Sequence, residues 1–109
     1  MADVMYILTH DGHLEDYVVY RTLAGAERAA DEEMQRRVDF ENKRRKNEYE
    51  ARMKEYQKHY VLFEAGLEPQ PIEPNHVEEM TLEYVKSNAN LYRIQEDFLV
   101  SVEEIEVCD

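Results

Sequence analysis

His10, Asp11 and His13 lie within the stretch HDGH, and two imidazoles with a carboxylate are legitimate ligands for a divalent metal. The same Asp-Gly pair is also the composition that tolerates positive φ in a tight hairpin turn, and no further ligand follows at a metal-site spacing. Turn chemistry is the sufficient explanation. His59 and His76 stand isolated. Carboxylates come next: Glu78, Glu79 and Glu83 in EEMTLE, and Glu103, Glu104 and Glu106 in VEEIEV, could pair for acid–base work or hold a divalent ion. On a strand, Glu104 and Glu106 share one face and Glu103 takes the other. The simpler reading is a solvated strand edge that charge keeps from aggregating. No glycine-rich phosphate loop, Ser/His/Asp set or Cys/His pair is present, so a non-enzymatic protein without a cofactor or metal is expected.

Basic chemistry concentrates in RRVDFENKRRKNE, residues 36 to 48, with six Lys/Arg against three acids. Arg36, Arg37, Arg44 and Arg45 could contact an anionic ligand such as a nucleotide, in a pocket between subunits where Asn42 and Arg45 face inward. The alternative is pairing with acidic surface of the same or a second chain, at about 0.2–1 kcal/mol per exposed pair.

Charge sets limits on partners. The chain has 109 residues, one domain's worth, with 43% hydrophobic and 35% charged residues and a net charge of −12. Residues 27–58 hold ten Lys/Arg against nine Asp/Glu, whereas residues 64–109 hold two against twelve. A strongly acidic protein is repelled by nucleic acid and by anionic lipid, so neither is an expected direct partner. Cys108 is the single cysteine and cannot form an internal disulfide. MADVMYILTHDG lacks a basic n-region and a long apolar run, and no window approaches a membrane span, so a soluble, cytoplasmic protein is expected.

These residues need elements to hold them. Residues 4–20 read as a β-hairpin turning at Asp11-Gly12, with Tyr17-Val18-Val19-Tyr20 as the returning strand. Thr22 is a plausible N-cap for a helix of about residues 23–65, which contains no proline and ends at Gly66 before Pro69. Leu23, Ala26, Ala30, Met34 and Val38 form its core-facing row, and Tyr49, Met53, Tyr56, Tyr60 and Phe63 continue it in steps of four and three. ENKRRKNE interrupts the row without shifting its phase, since eleven residues from Val38 to Tyr49 make about three turns. About forty helical residues span roughly 60 Å, against a radius of gyration of about 13 Å for a compact domain of this size. A single domain is therefore expected, with helix 40–65 projecting as an arm whose aromatic row is an association interface, making the chain a homodimer. The alternatives are a helix folded back near 41–47 and cover by another protein. GLEPQPIEPNH reads as a linker, Asn75 as the cap of a short helix, and residues 91–95 and 98–107 as strands with a bulge or a bend between Val102 and Ile105. The fold class is α+β, in the order ββα(α)ββ: a hairpin, one long helix, a short second helix, and C-terminal strands completing a small antiparallel sheet.

YILTHDGHLEDYVVYRTLAGAERAADEE, the first third of the chain, resembles the short hairpin-then-helix proteins encoded among bacteriophage accessory genes, in layout and in its Ala-Glu-Arg-Ala-Ala helix start. That resemblance implies a small non-catalytic protein that binds a host factor in the host cytoplasm, some such inhibitors mimicking nucleic acid with carboxylates. The basic centre of the helix departs from a uniformly acidic mimic. The expected function is a protein-interaction module whose acidic surface, Glu78, Glu79, Glu83, Glu103, Glu104 and Glu106, binds a basic host protein. A nucleotide binder or sponge and a structural or assembly component are the alternatives.

Overall fold

The run DVMYILTH combines β-branched and aromatic residues and forms strand β1, Asp3–His10. A computed structural model describes residues 3–16 and 18–107. Tyr17 and Cys108, singled out above, lie outside them. After β1 come β2 (His13–Leu14), α1 (Leu23–Glu64), α2 (Leu82–Ser87), α3 (Tyr92–Asp97) and β3 (Ser101–Val107). The class is α+β as expected, with an antiparallel sheet in the order β2-β1-β3. Contacts divide the chain into two compact units, Met1–Asp39 with Met80–Asp109, and Phe40–Glu79.

In the first unit the turn is where its chemistry placed it. Asp11 has φ 50° and Gly12 φ 79°, the paired positive angles of a two-residue hairpin turn, and His10 faces His13 across it. The returning strand is much shorter than expected. Its last bond to β1 on this side is from the Glu15 amide to the Leu8 carbonyl at 2.9 Å, Val18 and Val19 are exposed outside the ladder, and pairing with β1 returns at the Tyr6–Tyr20 bridge. Asp16 explains the departure: its carboxylate accepts from the Val18 amide at 3.3 Å and the Tyr20 hydroxyl at 3.2 Å, offering local turn bonds that compete with the ladder.

The β1–β3 register runs unbroken from Asp3–Val107 to Thr9–Ser101, so the bulge expected between Val102 and Ile105 is absent. The shift in apolar phase is a change of face. Val102 sits opposite Leu8 and Ile105 opposite Met5, and strand alternation sends these pairs to opposite sides. Residues 91–95 are a second correction: Tyr92–Asp97 is helix, and its inward residues Ile94 and Phe98 stand one helical turn apart. The short helix α2 begins at Thr81 rather than Asn75, because the Thr81 hydroxyl accepts the Tyr84 amide at 3.0 Å and caps it.

α1 is one helix of 42 residues with no break at 41–47. Thr22 caps it through the Gly25 amide at 3.0 Å, and a Cβ on residue 25 would meet that hydroxyl at 2.9 Å, which is why glycine suits the first turn. Ala26, Ala30, Met34 and Val38 pack with Leu8, Val85, Ile94, Phe98 and Val100 into the core of the first unit, whereas Leu23 is exposed.

In the second unit α1 ends in a Schellman motif. Gly66, at φ 76°, donates to the Phe63 carbonyl at 2.9 Å, and Leu67 donates to that of Leu62 at 2.9 Å. Residues 67–79 then run back beside the helix. His59 meets Glu68 at 2.6 Å, the Tyr49 and His76 rings meet edge-on at 5.9 Å, and Arg45 donates to the Glu78 carbonyl at 3.0 Å. GLEPQPIEPNH is therefore a strap along α1.

Candidate interaction surface on the sheet

Strand alternation assigns Tyr6, Leu8 and Val102 to the sheet face that packs on α1, where all three belong to or touch the core. The opposite face carries Met5, Ile7, Ile105 and Val107, with Asp3 and Glu103 among them. An antiparallel sheet covered on one side normally presents polar residues on the other. Here Met5, Ile7 and Ile105 are half-buried, Val107 is exposed, Thr9 at the far end of the same face is buried, and none of the four apolar residues belongs to the core cluster.

β3 is the terminal strand, so its outer backbone edge is unpaired among the described residues. Glu103, Glu104 and Glu106 are all exposed on it, and none takes part in an ion pair among those residues. Their surroundings are strongly negative. The first unit holds sixteen Asp/Glu against six Lys/Arg by sequence, which is −10 of the total −12. Of its cations, Arg36 is spent on Glu33, Arg37 on Glu15 and Glu33, and Lys86 on Asp31. The edge strand thus carries an apolar strip with Glu103 on its outer face, a free backbone edge, and Glu104 and Glu106 exposed on its other face.

The six carboxylates expected to form one acidic surface are placed apart. Glu103, Glu104 and Glu106 share β3, Glu83 lies in the first turn of α2, and Glu78 and Glu79 belong to the second unit.

The four arginines expected to take an anion are already engaged. Arg44 bonds Glu41 at 2.7 Å and Glu48 at 2.6 Å, Arg45 bonds Glu41 at 2.9 Å, and Arg36 and Arg37 are paired as above. The Arg44 hydrogen bond, with help from Arg45 and against partial burial, holds the Glu41 carboxyl below its ordinary range, and Glu41 raises the Arg44 guanidinium in turn. Within ENKRRKNE the two arginines are thus paired at i,i+3 and i,i+4 spacing, while the two lysines take part in no ion pair among the described residues. Lys43, Arg45 and Lys46 line a groove of about 570 Å³ with Asn42, Tyr49 and His76, and Glu78 and Glu79 line it too, offsetting most of that charge, as Arg45 is already paired with Glu41.

The aromatic row expected as an association interface meets the strap at one end, where His76 contacts Tyr49. Tyr49, Met53, Tyr56 and Phe63 are half-buried and Tyr60 is 37% exposed, with ring centroids 5.8 Å apart for Tyr56–Tyr60 and 6.0 Å for Tyr60–Phe63. The strap touches this stretch of helix at Tyr49 and at His59.

At the hairpin, His10 donates through Nδ1 to the Leu99 carbonyl at 2.7 Å, and the described residues include no group of three or more metal-ligating side chains. No helix among them is long and apolar enough to cross a membrane. The apolar outer face was not anticipated, although VMYIL, apolar at five consecutive positions, carries the signal for a strand with two apolar faces. No family model, curated protein or solved structure matches this chain.

Proposed function

We propose that this chain is a non-catalytic protein-interaction module that binds a basic protein partner through the outer face and free edge of its sheet. The observation that carries the reading is the strip of Met5, Ile7 and Ile105, half-buried and outside the core cluster, with Glu103 on the same face. Glu104 and Glu106 are exposed on the other face of the same edge strand, and all three glutamates are without an ion pair among the described residues. Carboxylates steer a basic partner and reject acidic ones, and the apolar strip supplies the desolvated contact that holds it. Two copies of this surface repel each other through the same charges, which favours a different protein over self-pairing. In the setting that the first third of the chain resembles, the partner is a host protein and binding inhibits it. The reading rests on the first unit and does not depend on association through the aromatic row of α1.

Capture from bacterial lysate on the immobilised chain tests it. Basic proteins are expected to be retained at low salt and to elute as ionic strength rises to roughly 0.5 M, where charge interactions are screened. Retention of acidic proteins alone, or of partners indifferent to salt, would contradict it.

A further inference from the structure

We propose that His59 is a protonation-controlled latch that fastens the strap, residues 67–79, to the second half of α1. The strap contains no helix or strand, and Pro69, Pro71 and Pro74 remove backbone donors along it. After the Gly66 turn its attachment therefore rests on a few side chains. At the near end His59 Nδ1 lies 2.6 Å from Glu68 Oε2 on the strap, while Nε2 lies 3.0 Å from Glu55 Oε1 one turn back on α1. A neutral imidazole carries one N–H and one lone pair, and a carboxylate only accepts. Both contacts are hydrogen bonds only when both ring nitrogens are protonated. The geometry thus selects the imidazolium, and neutral His59 would turn a lone pair toward one carboxylate.

Glu55 faces the ring from α1 and Glu68 faces it from the strap. Arg52 and Glu73 line the adjoining groove with His59, Tyr56 and Pro71. Consistent with this setting, the Glu68 hydrogen bond first and the Glu55 bond second raise the His59 pKa above its ordinary value. A raised pKa in the fastened state means that the attachment is at full strength below about pH 6.5, the ordinary histidine value, and is lost as pH climbs through the raised one. The far end has separate anchors, His76 on Tyr49 and Arg45 on the Glu78 carbonyl. The latch therefore governs the near end, next to Tyr56. Acidification tightens that end over the aromatic row, and mild alkalinity frees it.

The test is an NMR titration of the full chain from about pH 5 to about pH 9, with the amide shifts of residues 68, 70, 72 and 73 and the contacts between the Tyr56 ring and Pro71, which line one groove, followed alongside. His59 is expected to titrate above an ordinary histidine. The strap shifts should move, and the Tyr56–Pro71 contacts weaken, across the same transition. Glu68→Gln should bring the His59 titration back toward the ordinary value and flatten the strap response, while His76→Gln should leave both intact. An ordinary or lower His59 titration, a strap indifferent to it, or a response that follows His76 instead would overturn the proposal.

Discussion

Replacing Leu8 by alanine is expected to lower the stability of the first unit by about 3 kcal/mol, in the range for emptying a core leucine site. Leu8 is 2% exposed and packs in one cluster with Ala26, Ala30, Met34 and Val38. The loss corresponds to a fall in Tm of about 15 °C for a unit of this size. Ile7→Ala, one residue away on β1, is expected to cost less, about 1–2 kcal/mol, because that side chain is only half-buried and lies outside the core cluster. The contrast between neighbours matters more than either value. A sheet buried on both faces would make the two substitutions equally damaging. Chemical denaturation followed by far-ultraviolet circular dichroism suits a chain without tryptophan.

Reversing three charges on β3, with Glu103→Lys, Glu104→Lys and Glu106→Lys together, is expected to weaken binding of a captured basic partner by roughly 100-fold, mostly through slower association. Each reversal converts an attraction into a repulsion at the same spot, and all three residues are exposed on one strand without an internal counter-charge. The folded state should tolerate the change, because a unit carrying −10 is relieved of self-repulsion. Unchanged stability with lost binding separates a surface role from a structural one. Titration with the partner, for the parent and the triple variant at matched salt, measures it. Equal affinities would remove β3 from the interface.

Features set by local chemistry were legible in the sequence. Asp11-Gly12 needs positive φ wherever it turns a hairpin, Thr22 and Gly66 cap the ends of α1, and the unbroken spacing of apolar residues carried that helix across its polar middle. Elements decided by tertiary context were not. Leu91 to Gln95 alternates well enough for a strand, yet Ile94 and Phe98 also fit one helical turn, and only the core they enter settles the choice. Ile105 and Val102 were placed on one face with a bulge, when opposite faces needed none. The pairing of Glu41 with Arg44 and Arg45 was available from spacing alone and would have withdrawn those arginines from ligand binding. The approach of Glu68 to His59 was not available, since it depends on the strap folding back at Gly66.

The most direct test of the sheet as the binding surface is amide chemical-shift mapping of the labelled chain against the captured basic protein. Perturbations are expected at residues 3–7 and 101–107, and residues 40–79 should stay still. Shifts confined to residues 40–79, with β1 and β3 unchanged, would contradict it and move function to the second unit.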